Sequence, residues 1–289
     1  MHRDTIYVDG KPLIYLDLEL ASFYTLFNSP YYPHSIASAI DIYFNSDEAL
    51  FLFEEGRVIE IKWFPIPKIR SDAIDREPMI IIDIGSNTIA KILHVFPKVR
   101  VGEKLVYGDP IGNTIVSGYL YPWSEKHMHL ELRPLHDRYR VRNAHKIKLL
   151  RTREVSSHNT IYGIVADIAK HYILIKPIKS LAHGLTPLFI EFNSNKLFFE
   201  GGYPHYKIAA LHGGKCINRN NTICIDVGYY NTSIIKKSRN LEIKLYGITI
   251  DGISTYIGRE YIKLVSNNIF NNISIGDVIE IDINRILDL

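Results

Sequence analysis

Lys126-His127-Met128-His129-Leu130-Glu131-Leu132-Arg133-Pro134 is an alternating run. In a β-strand successive side chains point to opposite faces, so His127 and His129 share one face while Met128, Leu130 and Leu132 share the other. Two imidazoles on one strand face have the geometry of a metal site. The competing reading is that two of twelve histidines fell close together on a solvated strand. The rest of the chain decides between them.

Outward from this strand, helix signals are sparse. Most apolar segments are short, β-branched or aromatic, and bounded by Gly, Pro, Asn or Asp, which predicts an all-β protein. Strands are expected over residues 13–20, 39–44, 57–63, 79–84, 88–95 and 127–132, and again over 160–168, 172–177, 187–192, 222–227, 241–248 and 277–283. The polar run Lys68-Ile69-Arg70-Ser71-Asp72-Ala73-Ile74-Asp75-Arg76-Glu77 reads as a surface loop that could cover a cleft. A basic stretch from Arg138 to Arg153 reads as a linker or an edge helix, and the domain boundary is placed there. Residues 1–150 then form one domain. Residues 151–289, with an Asn-rich turn at Asn218-Arg219-Asn220-Asn221, form a second, a β-sandwich or barrel.

Composition narrows the function classes. The 289 residues suffice for two ordinary domains, each with its own core. Apolar content of 46% and charge of 22% are those of a globular protein, and a net charge of +3 gives no argument for a nucleic-acid or membrane partner. No apolar run has signal-peptide length at the N-terminus or approaches the ~20 residues of a membrane span, so a cytoplasmic location is expected. Cys216 and Cys224 cannot make a disulfide framework and lack zinc-knuckle spacing; they are read as free thiols.

Upstream of the paired histidines, Lys91-Ile92-Leu93-His94-Val95 is followed by Val101-Gly102-Glu103-Lys104-Leu105-Val106-Tyr107-Gly108-Asp109-Pro110-Ile111-Gly112. The glycines make a compact hairpin series that returns the chain beside its earlier strand. A strand ending apolar-x-His-apolar, then Val-Gly-Glu-x-Leu-Val-x-Gly-x-x-Ile-Gly, then His-x-His-Leu-Glu-x-Arg resembles the lysostaphin or LytM type of zinc endopeptidase over about residues 34–134. The resemblance implies a β-sheet core with a duplicated hybrid motif and one Zn2+ per chain. By position it implies Asp41 and His129 as metal ligands, and His94 and His127 as the two catalytic histidines that do not bind metal. The family usually carries its first ligand His four residues before the Asp, with a glycine between them; this chain has Ala37 and Ala39 at those two positions. His34, seven residues before Asp41, takes that role if its loop carries it to the metal.

The set is chemically coherent. Zinc accepts imidazole and carboxylate ligands, and a three-ligand site leaves a position for a water whose pKa falls toward about 7. His127 is placed to orient or deprotonate that water, and His94 to stabilise developing charge or protonate a leaving amine. Two features depart from the family. Its members mostly cut exported cell-wall crosslinks, whereas no export signal is read here, so a different peptide or peptide-like substrate is expected. The small residues that commonly precede the His pair are replaced by Tyr119, Tyr121 and Trp123, either a stacking wall for substrate or one packed face of a strand.

The remaining histidines, His136, His145, His158, His171, His183, His205 and His212, lack partners at ligand spacing and read as structural or exposed. Leu211-His212-Gly213-Gly214-Lys215 lacks the full spacing of a phosphate-binding loop. The leading expectation is a zinc hydrolase, a metalloendopeptidase or amidase, whose second domain shapes substrate access or mediates assembly between copies of the chain. The alternative is a binding protein that keeps the fold without catalysis. A carrier domain is a weaker third reading, because no lipoyl-type Asp-Lys turn is present.

Overall fold

The computed structural model describes residues 5–8, 14–140, 142–214, 222–228, 230–236, 243–245, 248–267 and 272–282. The protein is all-β, as the alternating and β-branched segments predict; among the described residues a single helical turn, Tyr32–Ser35, departs from strand and loop. The chain divides into two units. One comprises Met1–Leu26 and Tyr32–Arg151, the other Phe27–Tyr31 and Thr152–Leu289.

The first unit is built on a seven-stranded sheet in the order Lys104–Val106, Glu55–Pro65, Arg76–Asp83, Thr88–Leu93, Met128–Pro134, Ile40–Tyr43 and Phe23–Thr25. Every adjacent pair runs antiparallel. The register sorts the side chains of the central strands. Ile80 lies opposite Ile92, and Ile92 opposite Leu130, while Leu130 lies opposite Ile40 on its other side. These residues, with Ile42, Ile82, Ala90, Met128 and Leu132, make one apolar, buried face. Each large aliphatic side chain removed from water contributes about 1.5–3 kcal/mol, and this face holds the sheet in register.

The opposite face carries the chemistry. His129 lies opposite Asp41 on one side and Leu93 on the other, and Glu131 lies opposite Lys91. Further along, Met79, Ile81 and Ile89 form a buried apolar cluster, packed by Ile59, Phe64, Leu93 and Leu135. The Met128–Pro134 strand is therefore buried on both faces, apolar on one and ionisable on the other.

The glycine-bearing hairpins run as the sequence implies. Gly102 and Gly108 take φ of +92° and +90°, a left-handed conformation that glycine adopts at no steric cost. Between and after them, Lys104–Val106 pairs with Glu55–Pro65, and Pro110–Thr114 pairs with both Glu48–Leu50 and Val95–Pro97. At Gly112 the neighbouring backbone approaches so closely that a Cβ would lie 2.1 Å from the Phe96 carbonyl oxygen.

Several expectations are corrected. The strand expected over residues 88–95 is interrupted at His94, whose φ of +65° separates Thr88–Leu93 from Val95–Pro97. The polar run ending at Glu77 is not surface loop throughout: Arg76 and Glu77 open a sheet strand, and Glu77 is wholly buried. The basic stretch after Arg138 is neither plain linker nor helix. Its Ile147–Arg151 forms a strand paired with Thr5–Val8, with Ile147 and Leu149 buried. Cys224 is disulfide-bonded instead of a free thiol. Cys216 and the turn Asn218-Arg219-Asn220-Asn221 lie outside the described residues.

The second unit is organised around a ten-stranded antiparallel sheet that runs from Thr222–Val227 to Val278–Asp282, with Phe189–Phe192 paired beside Asn195–Tyr203. Val165, Ile173, Ile175, Phe199, Leu211, Ile253 and Leu264 are among its core residues. Within it His212 and Glu200 form a wholly buried pair at 2.7 Å, and Glu200 also accepts the Phe27 backbone N–H at 3.0 Å. That makes His212 structural.

Candidate metal centre

Asp41 and His129 meet because their strands pair, with Asp41 directly across from His129 in the register. His34 arrives from elsewhere. The helical turn Tyr32–Ser35 carries it, and Ala37 takes a left-handed φ of +54° where the chain turns toward the strand of Asp41. His34 Nε2 then stands 3.3 Å from Asp41 Oδ1 and 3.2 Å from His129 Nδ1. One ligand atom from each of His34, Asp41 and His129 lies within 4.8 Å of the others, and all three residues are buried.

Partners outside this cluster fix how each imidazole presents itself. The Leu26 carbonyl, 2.8 Å from His34 Nδ1, can only accept, so that nitrogen carries the hydrogen and Nε2 faces the cluster bare. His127 Nδ1 donates likewise to the Glu125 carbonyl at 2.8 Å, leaving Nε2 toward Asp41 Oδ2 at 3.5 Å. His94 Nδ1 lies 2.5 Å from Glu77 Oε1. His129 stands between two carboxylates, with Nδ1 2.9 Å from Asp41 Oδ1 and Nε2 3.3 Å from Glu131 Oε1. A metal-ligating histidine whose other nitrogen is held by a carboxylate or carbonyl is the usual construction of a protein metal site.

Electrostatics follow from this packing. Burial alone would lower the pKa of His129, but hydrogen bonds to Asp41 and Glu131 and their charges outweigh it and raise the imidazole to about 9. Burial pushes His127 down to about 4, with the charge of Asp41 opposing it. Burial would raise Asp41; the imidazoles of His127, His34 and His129 packed around it, with a hydrogen bond from His129, instead hold it well below the usual carboxylate range. Without a cation, then, a proton on His129 Nδ1 sits where Asp41, His34 and His129 converge. A metal held by His34, Asp41 and His129 would take the place of that proton.

Behind the cluster lies a buried ion network. Glu131 pairs with Lys91 at 3.0 Å and with Arg133 at 2.6 Å. Arg133 is wholly buried and spends its remaining donors on the carbonyls of Asp137 and Arg142. Burial would raise Glu131, but hydrogen bonding to His129 and the charge of Lys91 bring it down to about 2. The sequence reading missed this role for Glu131, Lys91 and Arg133, although the alternation of Glu131 and Arg133 with Leu130 and Leu132 was available as a signal for those two.

His94 and His127 stand beside the cluster, ring against ring edge-to-face at 5.1 Å, with His94 5.7 Å from His129. Neither is within the three-residue group. Tyr119, Tyr121 and Trp123 lie in turns and loop, not on a strand, which removes the packed-strand-face alternative. The Tyr121 and Trp123 rings stack at 5.1 Å and 15°; Trp123 is buried, while Tyr119 and Tyr121 are half-buried.

Comparison with known proteins adds two findings. Residues 16–149 match a family described as the N-terminal domain of a domain of unknown function, DUF8155. One similar solved structure is a zinc-containing peptidase from Vibrio cholerae, at 15% identity and a TM-score of 0.28. The likeness covers 46% of this chain and 44% of that one, so the chain spans less than half of the peptidase's length. No curated protein matches the chain.

Proposed function

We propose that the chain is a zinc-dependent hydrolase, a metalloendopeptidase or amidase of the lysostaphin and LytM type, with a duplicated hybrid motif in residues 1–150. One observation carries the reading: His34, Asp41 and His129 converge in a buried cluster, and two further histidines stand beside it with their outer nitrogens tied back. The donor set fits the group. Two imidazoles and one carboxylate are a catalytic zinc ligand set, each histidine has an outside partner for its second nitrogen, and the proton on His129 marks a place where positive charge is favoured. Zinc held there would supply Lewis acidity toward water and a carbonyl oxygen.

The chain's own residues then divide the remaining work. His127, kept neutral by burial and with Nδ1–H held by the Glu125 carbonyl, offers Nε2 to take the proton of an attacking water. His94, whose Nε2 takes up a proton during the reaction, then stabilises charge on the substrate oxygen or delivers that proton to the leaving amine. The stacked Tyr121 and Trp123 supply a flat wall for a peptide or peptide-like substrate.

Residues 151–289 act as an accessory domain that shapes access or pairs copies of the chain. No helix among the described residues is long and apolar enough to cross a membrane.

The non-catalytic alternative draws its support from the displaced His34 and the missing glycine at Ala39; the 3.3 Å approach of His34 Nε2 to Asp41 Oδ1 supports the hydrolase reading. His127→Ala tests the proposal. The variant is expected to keep its zinc and lose hydrolysis across a panel of peptides; activity equal to the parent rejects the assigned role.

A further inference from the structure

Glu77 lies in a run that reads as solvated loop, yet its side chain is wholly buried. A carboxylate there is tolerated only when donors surround it. Three do. Oε1 accepts the backbone N–H of His94 at 2.6 Å and the Nδ1–H of the same residue at 2.5 Å, while Oε2 accepts the Ser117 hydroxyl at 2.5 Å. Ser117 is itself wholly buried. A single oxygen thus grips both the backbone and the ring of one residue, at the point where a left-handed φ of +65° breaks the strand.

We propose that Glu77 is a positioning residue for the hydrolytic site: it fixes His94 in the tautomer with Nδ1 protonated and Nε2 bare. The proposal rests on the reading of His94 as a proton-carrying residue of the hydrolase. A neutral imidazole has one donor and one acceptor nitrogen, and which is which is set by the partner of the other. Glu77 can only accept from Nδ1. The bare nitrogen is thereby Nε2, on a ring that packs edge-to-face against His127 with centroids 5.1 Å apart. Glu77 also serves the broken strand by satisfying the His94 N–H, and a purely structural role would end there, leaving the ring free to exchange tautomers.

The tautomer is read directly from two-bond proton–nitrogen correlation spectra of the uniformly 15N-labelled full chain. His94 is assigned by the resonance lost in His94→Gln. In the parent, Nδ1 is expected in the protonated range and Nε2 in the unprotonated range, with zinc or without. Glu77→Gln is expected to preserve that pattern, because an amide oxygen still accepts both His94 hydrogens while the amide nitrogen donates to Ser117 Oγ. Glu77→Ala is expected to release the ring toward the Nε2-protonated form, with zinc content unchanged and hydrolysis reduced about 100-fold or more.

A parent whose His94 carries its proton on Nε2 overturns the proposal. So does a reversed pattern in Glu77→Gln, or an unchanged one in Glu77→Ala. If Glu77→Ala does not fold, the parent and Glu77→Gln spectra carry the test. Failure of the chain to bind zinc or cut peptides overturns the hydrolase reading instead, and is scored separately because the tautomer is legible in the metal-free protein.

Discussion

Zinc binding should be tightly coupled to pH through one proton. Asp41 and Glu131 raise His129 to about 9 in the metal-free protein, and a ligating nitrogen must be bare. Below that pKa, each zinc displaces about one proton, and apparent affinity falls about tenfold for every pH unit. Between about pH 9 and pH 7 the loss is roughly 50-fold, or about 2.3 kcal/mol. The sign for folding is the reverse. A histidine whose folded pKa lies above its unfolded value contributes stability that is fully present below about 6.5 and lost as pH rises through about 9, on the order of 3 kcal/mol here. The gain in melting temperature on adding zinc should therefore grow with pH, as the metal takes over from the proton. Titration calorimetry against a competing chelator, in buffers of different ionisation heat, measures both affinity and proton release. An affinity independent of pH over this range, with no proton released, would refute the reasoning.

Two substitutions probe what supports the site. Arg133→Met strips Glu131 of one of its cationic partners and leaves the carbonyls of Asp137 and Arg142 without their donor; breaking a buried pair in this way should cost about 3–5 kcal/mol, seen as a lowered urea midpoint. An unchanged midpoint would show the network to be dispensable. Gly112→Ala places a Cβ 2.1 Å from the Phe96 carbonyl oxygen and 2.7 Å from Val95 Cγ1. Overpacking of that kind should destabilise by about 1–3 kcal/mol, and a shift below about 0.5 kcal/mol would mean the hairpin yields without cost.

The sheet was legible from local pattern because burial on one face imposes a two-residue period. Strands such as Thr160–Ile168 and Tyr172–Pro177 fall where alternation puts them. Asp41, His94, His127 and His129 could be named from spacing within a resembling motif. His34 could be named only by allowing a loop to make up three residues, and the left-handed turn at Ala37 is what makes them up. Glu77 was invisible for a different reason. Its partner is 17 residues away across a strand pair, and a carboxylate flanked by Arg76, Asp75 and Asp72 carries no local sign of burial. Ser117 and Lys91 share that blindness, since ion pairs and hydrogen bonds between strands depend on register rather than on neighbours in the chain. The break at His94 also escaped notice, because a non-glycine residue with positive φ has no composition to announce it.

The account stands or falls on the metal. Protein purified without added zinc and analysed for elemental content should carry zinc near one per chain, and His129→Ala or Asp41→Ala should remove it. A parent chain that holds no zinc, and takes up none when it is supplied, would contradict the claim that His34, Asp41 and His129 form a metal centre.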